Sequence, residues 1–394
     1  MREVLSKDIC TGCSACMNIC PHKCITMKND NDGFVYPEVD EKVCVNCGLC
    51  RRICPVNNFI NIQTQDFPIA YAAYNNDSDV VEHSSSGGIF NAFAKEVINQ
   101  NGIVYGAAFN SDFGVEHIRV TTIEQLKLFR GSKYVQSNIN NTYELAKSDL
   151  INGKKVLFSE TPCQIAGFKQ FIDKEYDNLL CIDIICHSVP SPKAWRTYLS
   201  QLEDKENQHI TNVNFRDKRS SWKKYYLCLE LENGREILHT GNDNRFMQAF
   251  IQGLSTRESC YKCAFKGSNR GSDITLGDFW GVESVCPESF NERGTSLVII
   301  QTSKGLQAFS DISNQLKTCV VDKDDAIKYN PAYSEPSVPN KYRKDFFSRL
   351  ESEPFEILVD SLLPKIENRR SIKTRVHSIL SRIHSKLNRM LNRT

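Results

Sequence analysis

One cysteine pattern occurs twice near the start of the chain, and it limits the possible folds more than any other feature. Cys10, Cys13, Cys16 and Cys20 follow the spacing Cys-x-x-Cys-x-x-Cys-x-x-x-Cys, and proline comes directly after the last of them. The same spacing returns in four further cysteines before a second proline, namely Cys44, Cys47, Cys50 and Cys54. Eight cysteines therefore form two matched sets, and the fold of this region has to bring thiols together.

Thiolates at this spacing are typical ligands of cubane iron-sulfur clusters. The tight run of three cysteines surrounds one cluster, while the distant fourth cysteine, before proline, reaches the other cluster. The spacing therefore predicts two crossed [4Fe-4S] sites, a first set of Cys10, Cys13, Cys16 and Cys54 and a second set of Cys44, Cys47, Cys50 and Cys20. Gly12 and Gly48 lie inside the loops, where the missing β-carbon lets backbone amides approach the inorganic sulfurs.

Disulfides and zinc are the alternative uses of these cysteines. Disulfides suit secreted chains, but the residues before Cys10 contain no apolar signal core. Zinc prefers separated Cys-x-x-Cys pairs to a run of three cysteines followed by Cys-Pro. The motif is similar to that of the two-cluster bacterial ferredoxin domain, a resemblance that covers about the first sixty residues.

Length and composition indicate a globular, multidomain protein of a reducing compartment. The chain has 394 residues, of which 40% are hydrophobic, and this suffices for two or three cores. The sequence contains 17 cysteines and no recognisable export signal, and this combination favours the cytoplasm and metal ligation over a disulfide framework. No apolar run reaches the length of about eighteen residues that a membrane-spanning helix needs. The net charge of +2 excludes no class of protein.

The rest of the chain alternates strand and helix patterns, which predicts a mixed α/β fold after a small α+β ferredoxin-like domain. Residues 57–68 are polar and end in proline, and we interpret them as a linker. The predicted domains are residues 1–62, residues 68–322 with parts at 68–152 and 153–322, and a helical extension at 323–394. Strands are expected at 70–74, 103–109, 155–158, 179–185 and 296–301, and a hairpin with an Asn-Gly turn at 226–239.

Two loops have the composition of a phosphate or cofactor site. Ser85, Ser86, Gly87 and Gly88 precede a helix whose apolar residues share one face and which stops near Gly102. A helix N-terminus offers unpaired amides and a positive dipole, although an ordinary serine cap explains the same residues. The second loop contains Ser132, Lys133 and Tyr134 and can contact phosphate and stack on a ring, or it can be an exposed turn.

Four more cysteines stand where an additional metal site can form. Cys163 lies at a strand-to-helix turn, Cys186 ends a strand, and Cys260 and Cys263 form a Cys-x-x-Cys loop. Four thiolates are what one more cubane cluster needs. Zinc on the Cys-x-x-Cys pair, with free cysteines elsewhere, explains the spacing equally well. The remaining cysteines, Cys24, Cys181, Cys228, Cys286 and Cys319, are interpreted as core thiols.

Several of these motifs together resemble the flavoprotein beta subunits of coenzyme F-420 hydrogenases and dehydrogenases. They are Thr161-Pro-Cys-Gln164, Ile185-Cys-His187, the Cys260 to Cys263 loop, and the two serine- and glycine-containing loops. The resemblance covers roughly Ala70 to Ile300. It implies that residues 68–322 bind FAD and a [4Fe-4S] cluster, with Cys163, Cys186, Cys260 and Cys263 as a third set. It also implies that Ser85, Ser86, Gly87, Gly88, Ser132, Lys133, Tyr134 and Thr161 line the FAD.

The function expected from these motifs is an iron-sulfur flavoprotein oxidoreductase. Clusters exchange electrons with FAD, and FAD reduces or oxidises an organic substrate. The expected partner is a ferredoxin-type or reduced deazaflavin carrier. The resemblance implies a small-molecule or glycan substrate, for example in surface-polysaccharide biosynthesis. Lys133 and His187 are candidate proton donors, although a histidine beside a metal ligand is more often structural support. The alternative is an electron-transfer subunit that feeds a partner enzyme. A nucleic-acid protein is disfavoured, because no basic stripe interleaves with aromatics.

The C-terminal residues 365–394 carry nine Lys or Arg and a single acidic residue. Their apolar residues fall on one face of a helix at 3.6 residues per turn, which predicts a basic amphipathic helix. Such a helix can lie at the surface of an anionic membrane and make the protein membrane-peripheral, or it can dock on protein. Without a Trp or Phe anchor in the apolar stripe, the pattern leaves both possibilities open.

Overall fold

The computed structural model describes residues 4–58, 69–241 and 243–363. Most of the predicted linker at 57–68 and the whole predicted amphipathic helix at 365–394 lie outside these residues. The described strands are β1 (Ile25–Asn29), β2 (Val35–Val39), β3 (Ile69–Asn75), β4 (Ile103–Phe109), β5 (Val115–Val120), β6 (Ser137–Asn138), β7 (Val156–Glu160), β8 (Leu179–Ile184), β9 (Ile210–Ser221), β10 (Lys224–Leu231), β11 (Glu236–Thr240), β12 (Ile274–Asp278), β13 (Ser296–Ile300) and β14 (Leu316–Val321).

The described α-helices surround these strands. They are α1 (Ala15–Ile19), α2 (Leu49–Arg52), α3 (Ser78–Glu82), α4 (Ile89–Asn99), α5 (Thr142–Ile151), α6 (Pro162–Ile172), α7 (Pro192–Glu206), α8 (Arg245–Ile251), α9 (Val282–Val285), α10 (Ser303–Asp311), α11 (Lys323–Ile327), α12 (Arg343–Arg349) and α13 (Phe355–Leu362). Short 3-10 turns lie between them, one of them at Glu124–Phe129. None of the described helices has the length and apolar character needed to cross a bilayer.

A nine-stranded mixed sheet forms the centre of the molecule, in the order β14-β3-β13-β12-β8-β7-β4-β5-β6. Strands β12, β8, β7 and β4 are mutually parallel, whereas β13, β3 and β14 pair antiparallel with their neighbours. Strand β5 pairs antiparallel with β4 and parallel with β6. Most residues of β7 and β8 are fully buried, as expected for parallel strands covered on both faces. Because parallel strands end at one edge, the segments after β7, β8 and β12 meet there, which is where ligands bind in open α/β sheets.

A smaller antiparallel sheet of β9, β10 and β11 lies against helices α7, α8, α12 and α13 through an aromatic core around Trp195, Phe215 and Phe246. The predicted hairpin is confirmed, since β10 and β11 pair across the turn at Gly234, whose φ is +78°. Strands β5, β9, β12 and β14 were not expected from the sequence. Their residues mix polar and apolar side chains without clean alternation, because each strand packs only in part against the core.

The cysteine-rich start folds as a small ferredoxin-like unit, with the hairpin β1-β2 and the short helices α1 and α2. This confirms the predicted fold class of a small α+β domain with a mixed α/β domain. The small unit shares a core with the large sheet, because Cys13, Ala15 and Ile53 belong to the same buried cluster as Phe158 and Phe168. Helix α1 also packs against α6, so the two cysteine-containing regions lie side by side.

Candidate functional site

The first set of cysteines surrounds one cavity. Cys10, Cys13 and Cys16 line it together with Cys54, which comes from the other motif, as the crossed assignment requires. Burial first, and then the neighbouring Cys54 and Cys10, raise the pKa of Cys13 to about 12. Four thiols packed this closely and this deeply are held in place for a common positively charged partner, because isolated buried thiols have no reason to face one another.

The second set surrounds another cavity, lined by Cys20, Cys44, Cys47 and Cys50. Cys24 also lines this cavity, and its Sγ lies 3.3 Å from Sγ of Cys20. Cys24 is buried as expected of a core thiol, but its neighbours are the second-set sulfurs and not only apolar side chains. Cys47 is exposed, so the second set lies nearer to solvent than the first set.

The glycines of both loops adopt conformations that other residues avoid. Gly12 and Gly48 have φ values of +70° and +75°, in the left-handed region. A β-carbon on Gly12 would lie 2.9 Å from Nε2 of Gln136 and 3.1 Å from Cζ of Arg257. Gly12 is therefore needed both for the turn and for the close approach of the large domain to the first set.

The third set also comes together. Cys163 opens α6 directly after β7, Cys186 follows β8, and Cys260 and Cys263 lie in or beside the 3-10 turn Glu258–Lys262. Burial holds the pKa of Cys163 well above its usual range, and Cys263, Cys186 and Cys260 raise it further. Three chain segments thus place four thiols close enough to influence one another, in the manner of the first set.

Helix α6 connects the first and third sets. A β-carbon on Gly167 would lie 2.8 Å from Sγ of Cys13, so this glycine packs directly on a first-set sulfur. Cys163 precedes Gly167 by one helical turn, a rise of about 6 Å. Tyr143 lies beside both sets, since burial first, and then Cys13 and Cys163 among its neighbours, raise its pKa. The first and third sets are therefore near neighbours.

Buried cations lie against these thiols. Arg257 is fully buried, and it donates to the carbonyls of Cys10 and Val35 and to Oε1 of Gln136, none of which carries a charge. Lys266 donates to the carbonyl oxygen of Cys186. A buried guanidinium without an anionic hydrogen-bond partner is costly unless a negative group lies nearby. Four-thiolate iron-sulfur clusters are such groups, so these cations fit clusters at the first and third sets.

The two loops predicted to hold a flavin meet in the fold. Oγ of Ser85 and Oγ of Ser132 lie 2.8 Å apart, although the two serines belong to separate segments. Gly88 caps α4 with a φ of +77°. Gly87 faces the sheet, because a β-carbon there would lie 2.5 Å from the carbonyl oxygen of Ala73. Its amide donates to Oγ of Ser296, and Oγ of Ser86 donates to the carbonyl of Thr295. Much of the first loop is therefore anchored on β13.

A charged and aromatic group that the sequence did not reveal lies against these loops. The guanidinium of Arg216 donates to both carboxylate oxygens of Asp278, to Oη of Tyr134 and to the carbonyl of Ser85. Lys218 donates to the carbonyls of Val81, Ser86 and Arg293, and burial lowers its pKa to about 8. Both cations are buried and already bind protein acceptors, and Nε of Arg216 is buried without a hydrogen-bond partner among the described residues. The signal in the sequence was the alternating run before Trp222, which contains both Arg216 and Lys218.

Aromatic rings complete this part of the site. Trp222 donates from Nε1 to Oδ1 of Asp278 and stacks on Trp280, with ring centroids 4.9 Å apart and planes 4° from parallel. Arg216 lies 4.0 Å from the ring centroid of Tyr225. Trp222 is fully buried, whereas Tyr134, Tyr225 and Trp280 are partly exposed. Partly exposed rings are surfaces on which a planar heterocycle can stack.

The predicted proton donors and Thr161 occupy different parts of this edge of the sheet. The Lys133 ammonium donates to the carbonyls of Arg130 and Gly131, and burial lowers its pKa to about 8. Nε2 of His187 is buried without a hydrogen-bond partner among the described residues. Thr161 donates to Oε1 of Gln164 and lies 3.5 Å from Sγ of Cys163, so it is located beside the third set.

A chain of ring contacts joins the third set to the flavin loops. The ring of His187, next to Cys186, packs edge-on against Phe250 with centroids 5.4 Å apart. Phe250 packs in turn on Tyr134 at 5.3 Å. The second set adjoins the first set, since Cys50 is among the neighbours that raise the pKa of Cys54. A series of neighbouring groups therefore runs from the second set, through the first and third sets, to Tyr134.

Comparisons with known proteins find a family model similar to each of the two cysteine-containing regions. Residues 153–325 match the family described as the C terminus of the beta subunit of coenzyme F420 hydrogenase/dehydrogenase, and residues 9–58 match the 4Fe-4S dicluster domain. A solved chain of the F420-reducing [NiFe] hydrogenase complex from Methanosarcina barkeri aligns with 78% of this chain and 91% of that chain, at 16% identity and a TM-score of 0.44. A search of curated proteins found no match.

Proposed function

We propose that this chain is an iron-sulfur flavoprotein oxidoreductase. Residues 153–325 match the C terminus of the beta subunit of coenzyme F420 hydrogenase/dehydrogenase, and residues 9–58 match the 4Fe-4S dicluster domain. It takes electrons from, or gives them to, a soluble carrier at one end. At the other end it reduces or oxidises an organic substrate. A deazaflavin and a glycan precursor are the substrate classes proposed.

The cofactors proposed are three [4Fe-4S] clusters, one in each cysteine set, and FAD between Ser85, Ser132, Tyr134 and Arg216. When bound, the clusters supply one-electron transfer and FAD supplies the conversion between single electrons and hydride chemistry. The chain itself orders and insulates these groups. Arg257 and Lys266 offset negative charge beside the thiols, and Lys218 adds positive charge near the phosphate end of the flavin site. Lys133 supplies a proton at the substrate end.

The observation that carries this proposal is the spatial order of the four sites. Cys13 packs on Gly167 one helical turn from Cys163, and His187 reaches Tyr134 through Phe250. A protein whose clusters served only to stabilise the fold would not need them in a row that ends at a charged, aromatic site. An uninterrupted series is what electron transfer over the whole length requires.

The exposed end of the series supports a soluble partner. Val43 and Val45 are 46% and 59% exposed beside the exposed Cys47. Apolar residues around a solvent-facing metal site give a carrier a surface on which to dock briefly. We therefore propose that a ferredoxin-type carrier approaches at the second set.

The test is electron delivery to bound FAD. The chain is purified without oxygen, its flavin is identified, and reduced ferredoxin is mixed with it while flavin absorbance is followed. We expect flavin to be reduced, and we expect Val45→Glu to slow reduction by ferredoxin but not reduction by dithionite. Val320→Glu, which places the same charge on an exposed valine of the edge strand β14, is the matched control. A protein that contains no flavin and takes none up contradicts the proposal.

A second candidate function is electron transfer to a partner enzyme without a substrate of its own. It is favoured by the family description, which names a subunit of a larger enzyme. Turnover by the isolated chain with a deazaflavin or an artificial hydride acceptor separates the two functions. Reduction of FAD without any such turnover, restored by a copurifying protein, would support the second function.

A further inference from the structure

Two cysteines that belong to none of the three sets lie together at the far side of the sheet. Cys286 ends helix α9 and is buried, and Cys319 lies on the edge strand β14 opposite Ala72 of β3. Glu288 stands in the 3-10 turn that follows Cys286. The interpretation of both cysteines as core thiols therefore holds only in part. Cys286 is buried, whereas Cys319 is half-buried and faces a carboxylate.

The three side chains converge on one point. Sγ of Cys286, Sγ of Cys319 and a carboxylate oxygen of Glu288 all lie within 4.8 Å of one another. In residues 4–58, 69–241 and 243–363, no other three His, Cys, Asp or Glu side chains bring their ligand atoms this close together. Sγ of Cys319 lies 3.5 Å from Oε1 of Glu288. A tetrahedral zinc ion with Zn–S of about 2.3 Å and Zn–O of about 2.0 Å separates a sulfur from an oxygen by about 3.5 Å and two sulfurs by about 3.8 Å. The observed spacing therefore needs shifts of about 1 Å at most.

We propose that Cys286, Cys319 and Glu288 bind one zinc ion, with water in the fourth position. Two thiolates and a carboxylate suit a borderline-soft divalent ion, and they suit magnesium or calcium poorly. Binding releases the two thiol protons, so that two thiolates, one carboxylate and Zn²⁺ leave the site with a charge of −1. The half-buried Cys319 and the exposed Glu288 leave one side of the ion open to solvent.

The local surroundings prepare the ligands for this ion. Sγ of Cys286 donates to Oγ of Ser289, 3.2 Å away, which fixes the direction of the thiol. Hydrogen bonds of this kind, made by groups that do not touch the ion, commonly orient metal ligands.

The site would join two segments that the sheet leaves separate. Strand β14 is an edge strand that pairs only with β3, and α9 follows the segment with Asp278 and Trp280. A metal between Cys319 and Cys286 fixes the turn behind Trp280, and with it the aromatic wall of the candidate flavin site. The inference about zinc does not depend on the proposed function, since it uses only the three ligands.

The experiment is metal analysis of the full chain, expressed with iron and zinc in the medium and purified without oxygen. We expect close to one zinc per chain that survives dialysis. Glu288→Gln should weaken zinc binding at least about tenfold, and Cys286→Ser should abolish it, both without loss of iron. Glu288 is exposed, so its variant should fold normally, and Glu292→Gln, at another exposed carboxylate in the same segment, should keep its zinc.

Zinc K-edge absorption identifies the ligands directly, because iron does not contribute at that edge. We expect two sulfur neighbours at about 2.3 Å and two oxygen neighbours at about 2.0 Å, the usual Zn–S and Zn–O distances. Four sulfur neighbours would place the zinc at one of the cluster sets and overturn the proposal. A chain without zinc, or a Cys286–Cys319 disulfide found by peptide mass spectrometry in the zinc-supplied protein, would overturn it too.

Discussion

Replacing Arg257 with methionine should make the cluster of the first set harder to reduce. The guanidinium is fully buried and donates to the carbonyl oxygen of Cys10 at 2.8 Å. A guanidinium on the order of 8 Å from a cluster centre stabilises one added electron by about 2 kcal/mol at an effective dielectric constant of about 20. Because 100 mV corresponds to about 2.3 kcal/mol per charge, removing this charge should lower the midpoint potential by roughly 90 mV.

The sign follows from the charge that reduction adds. Reduction makes the cluster more negative, so a nearby positive charge favours the reduced state, and its loss shifts the potential to more negative values. The methionine variant also leaves three acceptors without a donor, at a cost of about 1–3 kcal/mol each. Arg257→Lys keeps the charge, and it serves as the matched control for packing and hydrogen bonding.

The assay is a redox titration followed by electron paramagnetic resonance, with iron content and thermal unfolding measured on the same samples. The second set provides an internal reference, because Arg257 contacts Cys10 of the first set and precedes Cys260 of the third set. We expect the first-set signal to shift in the methionine variant and the second-set signal to stay. A folded variant with full iron content and a shift below about a quarter of 90 mV would refute the reasoning.

Three further predictions concern Gly167, Lys133 and the C-terminal residues. Gly167→Ala places a β-carbon 2.8 Å from Sγ of Cys13 and should remove about a third of the iron, whereas Gly241→Ala, where the nearest atom is 3.8 Å away, should keep it, as iron analysis will show. The rate of substrate reduction should fall as pH rises through about 8, the pKa to which burial lowers Lys133, because only the ammonium donates a proton. Lys133→Arg should lose this limb of the pH profile, and an unchanged limb would exclude Lys133 as the donor. Deleting residues 365–394 should abolish sedimentation with anionic liposomes at low salt, and equal recovery of both forms in the supernatant would leave docking on protein as the role of that segment.

The sequence predicted those features that depend on local spacing. Cys10 and Cys54 were assigned to one set because the fixed spacing of two repeated motifs determines how four thiolates reach a cubane. Helix α4 followed from its apolar periodicity and from Gly102 after it, and strands β4, β7 and β8 followed from short apolar runs. These patterns are short in range, so a single sequence contains all the information they need.

The parts that the sequence did not reveal depend on contacts between distant segments. Arg216 and Asp278 belong to β9 and β12, and nothing near either residue indicates that they form a bidentate pair. Cys286 and Cys319 are likewise brought together only by the pairing of β14 with β3. Arg257 follows no motif, and its role is visible only once its guanidinium is seen against the backbone of Cys10.

A continuous series of three clusters requires a definite iron content, which can be measured on the chain purified without oxygen. We expect about twelve irons with matching acid-labile sulfide, and about eight in Cys260→Ser/Cys263→Ser, at unchanged FAD content. About eight irons in the unaltered chain, with no loss in the double variant, would contradict the series, since the first and second sets would then have no cluster between them and Tyr134.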